Sequence, residues 1–256
     1  MSLSGNSLYE SLRRAALIVS STPLHPQWFS FKAKARAAAS VADGASGDLL
    51  DIGCADGGLR RHLAGRCRYV GLDSTATGSK LYGARPEVFG DAAQLPFRAN
   101  SFDAVVLLDV LEHLAEPRTS LQEICRVLRP GGLLYINVPC IYPLHDEPFD
   151  FQRPTVYGLR HWLQAAGLEV ATIEPRGTPA ETAALLLNIV LVRFVTRATR
   201  AFVPAALLIL LAAPMIPIVN LVGCLVGRLE RSDRFMPFAY WAVASRPIES
   251  TARQSS

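Results

Sequence analysis

Acids and histidines punctuate the middle of this 256-residue chain at intervals that suit a nucleoside-binding site. The stretch Asp51-Ile52-Gly53-Cys54-Ala55-Asp56-Gly57-Gly58 follows the apolar pair Leu49-Leu50 and leads into Leu59-Arg60-Arg61-His62-Leu63. Small residues at 53, 55 and 57 let the backbone approach a ligand, and a helix starting here offers N–H groups to it. Asp51, closing the strand, is placed to orient the turn. Asp73 ends the next apolar run, Tyr69-Val70-Gly71-Leu72. An acid about 20 residues past a Gly-rich turn is where the ribose hydroxyls of a nucleoside cofactor are held. A third acid, Asp91, opens Asp91-Ala92-Ala93-Gln94-Leu95-Pro96-Phe97.

Two further groups could move a proton. Asp109, Glu112 and His113 are offset by three and four, so a helical segment would bring them to one face. A histidine there can serve as base near neutral pH. The loop His145-Asp146-Glu147-Pro148-Phe149-Asp150-Phe151-Gln152-Arg153-Pro154 sets ionisable groups among phenylalanines and prolines, a polar pocket with apolar walls. His145 is its candidate general base. Arg153 could hold an anionic group on an acceptor, with Asp146 and Asp150 beside it. The plainer reading is that Glu112 and His113 are structural, while the loop's charges pair with one another and cap a helix at Thr155.

These residues need strands to carry them. Apolar runs alternate with helical stretches, which predicts a doubly wound parallel sheet. Strands are expected near 48–52, 68–72, 87–89, 103–108, 132–138 and 168–173, with helices near 57–64, 77–83, 117–128 and 156–166. Arg129-Pro130-Gly131-Gly132 reads as a stop and turn. Ahead of the sheet, helices are expected over 7–20 and 28–42, as a cap, a lid or a membrane-facing element.

The ordered series from Asp51 through Asp73, Asp91, Ser101-Phe102-Asp103, Leu111-Glu112-His113 and Arg129-Pro130-Gly131-Gly132 resembles the class I S-adenosylmethionine-dependent methyltransferases of the type 11 kind. The likeness spans about residues 45–175. The family's Asp-x-Gly-x-Gly-x-Gly motif has Ala55 at its middle glycine here. The resemblance implies a seven-stranded sheet whose last strand runs antiparallel, and S-adenosylmethionine as cofactor. Asp51, Gly53, Ala55 and Gly57 would shape the methionine pocket. Asp73 would accept from the ribose, Asp91 from the adenine amino group with Ala92 beside the ring, and Asp109 would lie next to the methionine part. His145 and His113 would be the catalytic candidates, and Asp146, Asp150 and Arg153 the acceptor-binding ones. Some quinone-pathway O-methyltransferases carry a similar acid-x-x-Glu-His for a divalent metal. Asp109 stands in place of their Glu, and no metal is assigned.

The net charge of +4 gives no strong nucleic-acid footprint. Five scattered cysteines without a CxxC pair read as reduced thiols in a cytosolic setting. No signal-peptide pattern is read at the start. Half of the residues are hydrophobic, and the excess is concentrated late. Val203–Gly227 is a 25-residue run without a charge, flanked by arginines. As a helix it would be about 37 Å long, against a hydrocarbon core of ~30 Å. Pro204, Pro214 and Pro217 are expected to bend it into a re-entrant hairpin. The expected organisation is thus a helical cap (1–44), a cofactor-binding domain (45–180), a hydrophobic membrane-associating insertion (181–234), a last strand (235–247) and a disordered tail (248–256). The functional expectation is a methyltransferase at the cytoplasmic membrane face, O-methylating a lipid-linked glycan, another lipid or a small-molecule acceptor, with the bilayer as partner and no nucleic acid. Its alternative is a non-catalytic cofactor-binding scaffold of the same fold. A dinucleotide-dependent dehydrogenase is disfavoured, because the turn is not Gly-x-Gly-x-x-Gly.

Overall fold

The computed structural model describes residues 19–75, 78, 85–200, 205–230 and 235–248. The helix expected over 7–20 (apart from its last two residues), the helix expected over 77–83 (apart from Gly78), Arg231, Arg234 and most of the expected tail lie outside the described residues. The chain divides into two compact units: residues 36–176 with 239–256, and residues 1–35 with 177–238.

The first unit is built on seven strands: β1 (Gly47–Ile52), β2 (Cys67–Asp73), β3 (Val88–Phe89), β4 (Phe102–Leu108), β5 (Leu128–Pro139), β6 (Glu169–Arg176) and β7 (Ala239–Ser245). Their spatial order is β3-β2-β1-β4-β5-β7-β6. The pairs from β3 to β5 are parallel, and β7 runs antiparallel to both β5 and β6. This is the doubly wound, mostly parallel seven-stranded sheet expected. Apolar side chains line both faces of its central strands, as a sheet covered on two sides requires. On one face Leu50, Val105, Leu107, Ile136 and Val138 pack with Leu121, Ile124, Leu159 and Leu163 of α3 (Pro117–Val127) and α4 (Val156–Ala165). On the other, Leu49, Val106, Tyr135 and Trp241 meet Leu59 and Leu63 of α2 (Gly58–Leu63). Ala37, Ala38 and Val41 join them from α1 (Trp28–Gly44), whose alanine-rich sequence favours a helix. The boundary between the units falls inside α1.

One turn differs from expectation. Residues 129–132 belong to β5, which starts at Leu128 opposite Phe102 and shifts register before Ala104 meets Leu133. The left-handed glycine is Gly131, at φ 80°. The bulge absorbs the glycines without breaking the strand.

The second unit contains α5 (Pro179–Arg200) and α6 (Ala205–Leu229), inserted between β6 and β7. Here the expected hairpin is corrected. α6 runs through Pro214 and Pro217 as one helix, so the two arms are α5 and α6. Each proline removes one backbone bond, and the helix is continued on either side. Both arms are long and apolar enough to cross a membrane, over Pro179–Ala198 and Ala212–Leu229. Leu187, Val190, Phe194, Ile218, Leu221 and Leu225 are exposed. Between the arms the Asn188 amide donates to Asn220 Oδ1 at 2.9 Å, and Asn220 donates to the Pro23 and His25 carbonyls at 2.7 and 2.9 Å.

Candidate active site

Parallel strands bring their carboxyl ends to one edge of the sheet, where open α/β folds bind ligands. At that edge β1 ends in a turn with three left-handed residues, Gly53 (φ 72°), Ala55 (φ 46°) and Gly57 (φ 70°). The backbone N–H of Gly53 donates to the Leu72 carbonyl at 2.8 Å, which ties the turn to β2. Glycine is required at 53, because an added Cβ would lie 2.3 Å from Val110 Cγ2. At Gly57 an added Cβ would meet nothing within 4 Å.

Asp73 is buried at the end of β2. It accepts from the Ala55 and Ser74 N–H groups, both at 2.8 Å. A Cβ at Gly78 would come within 2.3 Å of its carboxylate, so the chain after β2 folds over this acid. Asp51 is also buried and accepts from the Tyr69 hydroxyl at 2.7 Å. Burial and the nearby Asp51 carboxylate push the Tyr69 phenol up. Cys54 lies between the acids. Burial, then Asp51, Asp73 and Glu87, push its thiol up to about 12, so it stays protonated and unreactive at neutral pH.

Asp91 stands next to this pair, since the Gly90 N–H donates to the Asp73 carbonyl at 3.0 Å. Its own carboxylate is exposed and caps the following turn through the Ala93 N–H at 2.9 Å. The Ala92 side chain points into the apolar core. Sequence reasoning missed Glu87, which accepts from the Gly71 N–H at 2.8 Å and pairs with Arg60, whose guanidinium lies over the Tyr69 ring. Nothing in the spacing marked Glu87, because it precedes a two-residue strand.

The two groups expected to handle a proton are brought together, by contacts that no spacing announces. Asp109 sits at φ 57° beyond β4, and its carboxylate accepts from the Asn137 amide of β5 at 2.5 Å. Only Leu111–His113 forms a helical turn, of the 3-10 kind. The single face expected for Asp109, Glu112 and His113 is therefore not made. Residues 142–153 are instead laced to this turn. Gln152 donates to the Leu111 and Leu114 carbonyls at 2.9 and 2.7 Å, and the Phe151 N–H donates to the Glu112 carbonyl at 2.9 Å.

As a result His145 joins Glu112 and His113. Glu112 is fully buried, and its Oε1 lies 3.7 Å from His113 Nε2 and 3.9 Å from His145 Nε2. Asp146 Oδ2 lies 3.9 Å from His113 Nε2. Burial holds the His113 imidazole below its ordinary pKa. Asp150 and Arg153 engage each other at 2.5 and 2.6 Å, with only 1 % of the Asp150 side chain exposed. Arg153 also donates to the Tyr142 and Pro143 carbonyls at 3.3 and 3.2 Å. This pair folds the loop and supports His145, whose N–H donates to Asp150 Oδ2 at 3.0 Å. Thr155 caps α4 through the Gly158 N–H at 3.1 Å.

Residues 50–136 match the model of the family described as Methyltransferase domain. The chain is 34 % identical over 134 residues to a probable S-adenosylmethionine-dependent methyltransferase of Mycolicibacterium smegmatis, covering 48 % of this chain and 52 % of that one. It is also 34 % identical over 120 residues to a fatty-acid O-methyltransferase of the same organism, covering 43 % of each. The chain thus spans about half the length, or less, of these two relatives. Among solved structures, a presumed sarcosine dimethylglycine methyltransferase from Galdieria sulphuraria superposes with a TM-score of 0.53 at 17 % identity, covering 87 % of this chain and 85 % of that one.

Proposed function

We propose, for a chain that belongs to the class I S-adenosylmethionine-dependent methyltransferases through its domain at residues 50–136, that it transfers a methyl group from that cofactor to an oxygen of a lipid or lipid-linked acceptor. The observation that carries the reading is the Gly53–Gly57 turn, which follows the buried Asp51 and is bonded at Ala55 to the buried Asp73 at the carboxyl edge of the sheet. A nucleoside fits this edge with its methionine part along the turn, its ribose at Asp73 and its adenine amino group at Asp91. A ribose at Asp73 takes the space now filled by the chain at Gly78. Asp109, beside Asn137, borders the methionine end.

Transfer from a sulfonium is an in-line displacement, for which the protein mainly aligns donor and acceptor and excludes water. An acceptor oxygen forms the new bond to the methyl carbon. The carbon–sulfur bond breaks, and its electron pair returns to sulfur as a neutral thioether. The hydroxyl proton must leave, and the Asp146 carboxylate beside the Glu112–His113–His145 cluster is placed to take it. Exposed Leu144 and Phe151 give the loop around His145 an apolar rim suited to a lipid acceptor.

The second unit suits a bilayer. Two long apolar helices with most of their residues unburied, arginines at 193, 197 and 228, and a fatty-acid O-methyltransferase among the relatives support a hairpin seated in the cytoplasmic face of an anionic membrane. The organisation proposed is the cofactor domain with this hairpin as its membrane element. The test supplies methyl-labelled S-adenosylmethionine to the protein with membranes of its source and counts label extracted into organic solvent. Label in the lipid fraction that is absent from a heat-killed control is expected. Label moved only to water-soluble products other than the cofactor would remove the lipid acceptor, and label remaining entirely on S-adenosylmethionine would argue for a non-catalytic binder. Replacing Leu221 and Leu225 by Asp should move the protein from pellet to supernatant in fractionation, since each charge costs about 2.5–3.5 kcal/mol at a bilayer centre.

A further inference from the structure

We propose that Glu112, His113 and His145 form a binding site for one divalent cation of the zinc type. One oxygen and two ring nitrogens from these side chains all lie within 4.8 Å of one another. Ligand atoms at 2.0–2.2 Å from a tetrahedral zinc stand roughly 3.3–3.6 Å apart. The 3.7 and 3.9 Å separations about Glu112 Oε1 are therefore a few tenths of an ångström from that arrangement.

The ring nitrogens facing away from the cluster supply the second argument. His113 Nδ1 lies 2.8 Å from the Phe149 carbonyl, an acceptor, so it carries the proton there. His145 Nδ1 lies 3.3 Å from both Asp150 Oδ2 and the Pro143 carbonyl. Arg153 Nη2 is equally close to it, but that nitrogen already donates to Asp150 and Pro143. With Nδ1 protonated on both rings, each Nε2 turns a lone pair toward the same carboxylate oxygen. A carbonyl behind one imidazole and a carboxylate behind the other is the outer support that metal-bound histidines use. The rings stand edge to face, with centroids 4.8 Å apart and planes at 74°, so neither ring stacks across the other. Asp109, the acid suggested by spacing, is turned to Asn137 and is not part of the set.

Two imidazoles and one carboxylate leave a fourth position open, the pattern of a cation that works on a substrate. This role rests on the methyl-transfer reading above. An acceptor hydroxyl in that position becomes more acidic and gives its proton to the Asp146 carboxylate. Its oxygen then attacks the methyl carbon, and the carbon–sulfur electron pair stays on sulfur. The cation changes no oxidation state, and the two imidazoles act as ligands while Asp146 takes the proton.

The test uses the full chain in detergent with zinc ion alone, titrated against a chromophoric chelator, and with cobalt(II) as a spectroscopic stand-in. One zinc per chain is expected, with binding at least 100-fold weaker in the His113→Ala/His145→Ala double variant and about tenfold weaker in Glu112→Gln. The cobalt-loaded wild type, which needs no variant to fold, should show visible d–d bands without thiolate charge transfer. Zinc binding unchanged in the double variant, a thiolate band, or no stoichiometric binding by the wild type would each overturn the site. S-adenosylmethionine binding is titrated separately. Zinc bound without S-adenosylmethionine binding would leave the cation site standing and sink the methyl-transfer reading, and the reverse result would do the opposite.

Discussion

Two glycines four residues apart in the β1–α2 turn should fail in different ways when given a side chain. Both hold left-handed backbone, Gly53 at φ 72° and Gly57 at φ 70°, so alanine at either carries about 1–2 kcal/mol of strain. They differ in what the new methyl meets. At 53 it falls 2.3 Å from Val110 Cγ2 and 3.1 Å from Cγ1, and overpacking of this kind adds about 1–3 kcal/mol. Gly53→Ala should therefore lower stability by about 2–5 kcal/mol. At 57 the methyl enters space with no protein atom within 4 Å, so Gly57→Ala should lose only about 1–2 kcal/mol and stay folded. That space is where the methionine part of the cofactor is proposed to lie. Gly57→Ala should thus weaken S-adenosylmethionine at least tenfold, about 1.4 kcal/mol. Chemical denaturation gives the first comparison and isothermal titration the second. A Gly57→Ala protein that binds the cofactor like the wild type would refute the placement of the turn, whatever its stability. A loss in Gly53→Ala no larger than in Gly57→Ala, about 1–2 kcal/mol, would show that Val110 gives way.

Asn220→Leu should destabilise the hairpin unit by about 3–5 kcal/mol, because it strands the Pro23 and His25 carbonyls and the Asn188 amide in buried surroundings; thermal unfolding in detergent would show it, and an unchanged midpoint would mean that water replaces the asparagine. Acid stability should depend on Asp48, whose carboxyl is held below its ordinary pKa by Arg68 and then Arg129. A carboxyl lowered in the folded state stabilises the protein above the unfolded value of about 3.9 and loses that contribution as pH falls through the folded value. The Tm of the wild type should therefore drop more steeply below about pH 4 than that of Asp48→Asn, and parallel curves would argue that the ion pairs contribute nothing.

Local patterns carried the scaffold well. Apolar runs of strand length at Leu49–Ile52, Ala104–Leu108 and Leu133–Val138 needed only alternation with helices to become a parallel sheet, and Phe238–Ala244 was legible as its last strand. The Asp51–Gly57 turn was legible because left-handed backbone restricts residue type so strongly. What escaped was decided by contacts distant in sequence. His145 reaches Glu112 only because Gln152 and Phe151 bind the turn at 111–114, and no periodicity encodes that. Asp150 and Arg153, offered as acceptor-binding residues, pair with each other at offset three, as the plainer reading of the loop's charges expects. In the hairpin, Pro214 and Pro217, which argued for a central bend, are carried within α6, and the two arms are α5 and α6 instead.

The central claim is that the carboxyl edge of β1 and β2 holds S-adenosylmethionine with Asp73 on the ribose. Its most direct test is calorimetric titration of the cofactor into the wild type and Asp73→Ala, with both proteins shown to be folded. The account predicts one saturable site in the wild type, weakened in the variant by about 1.5–3 kcal/mol, the value of a hydrogen bond to a charged group. No saturable binding by the wild type, or equal affinity in the two proteins, would contradict it.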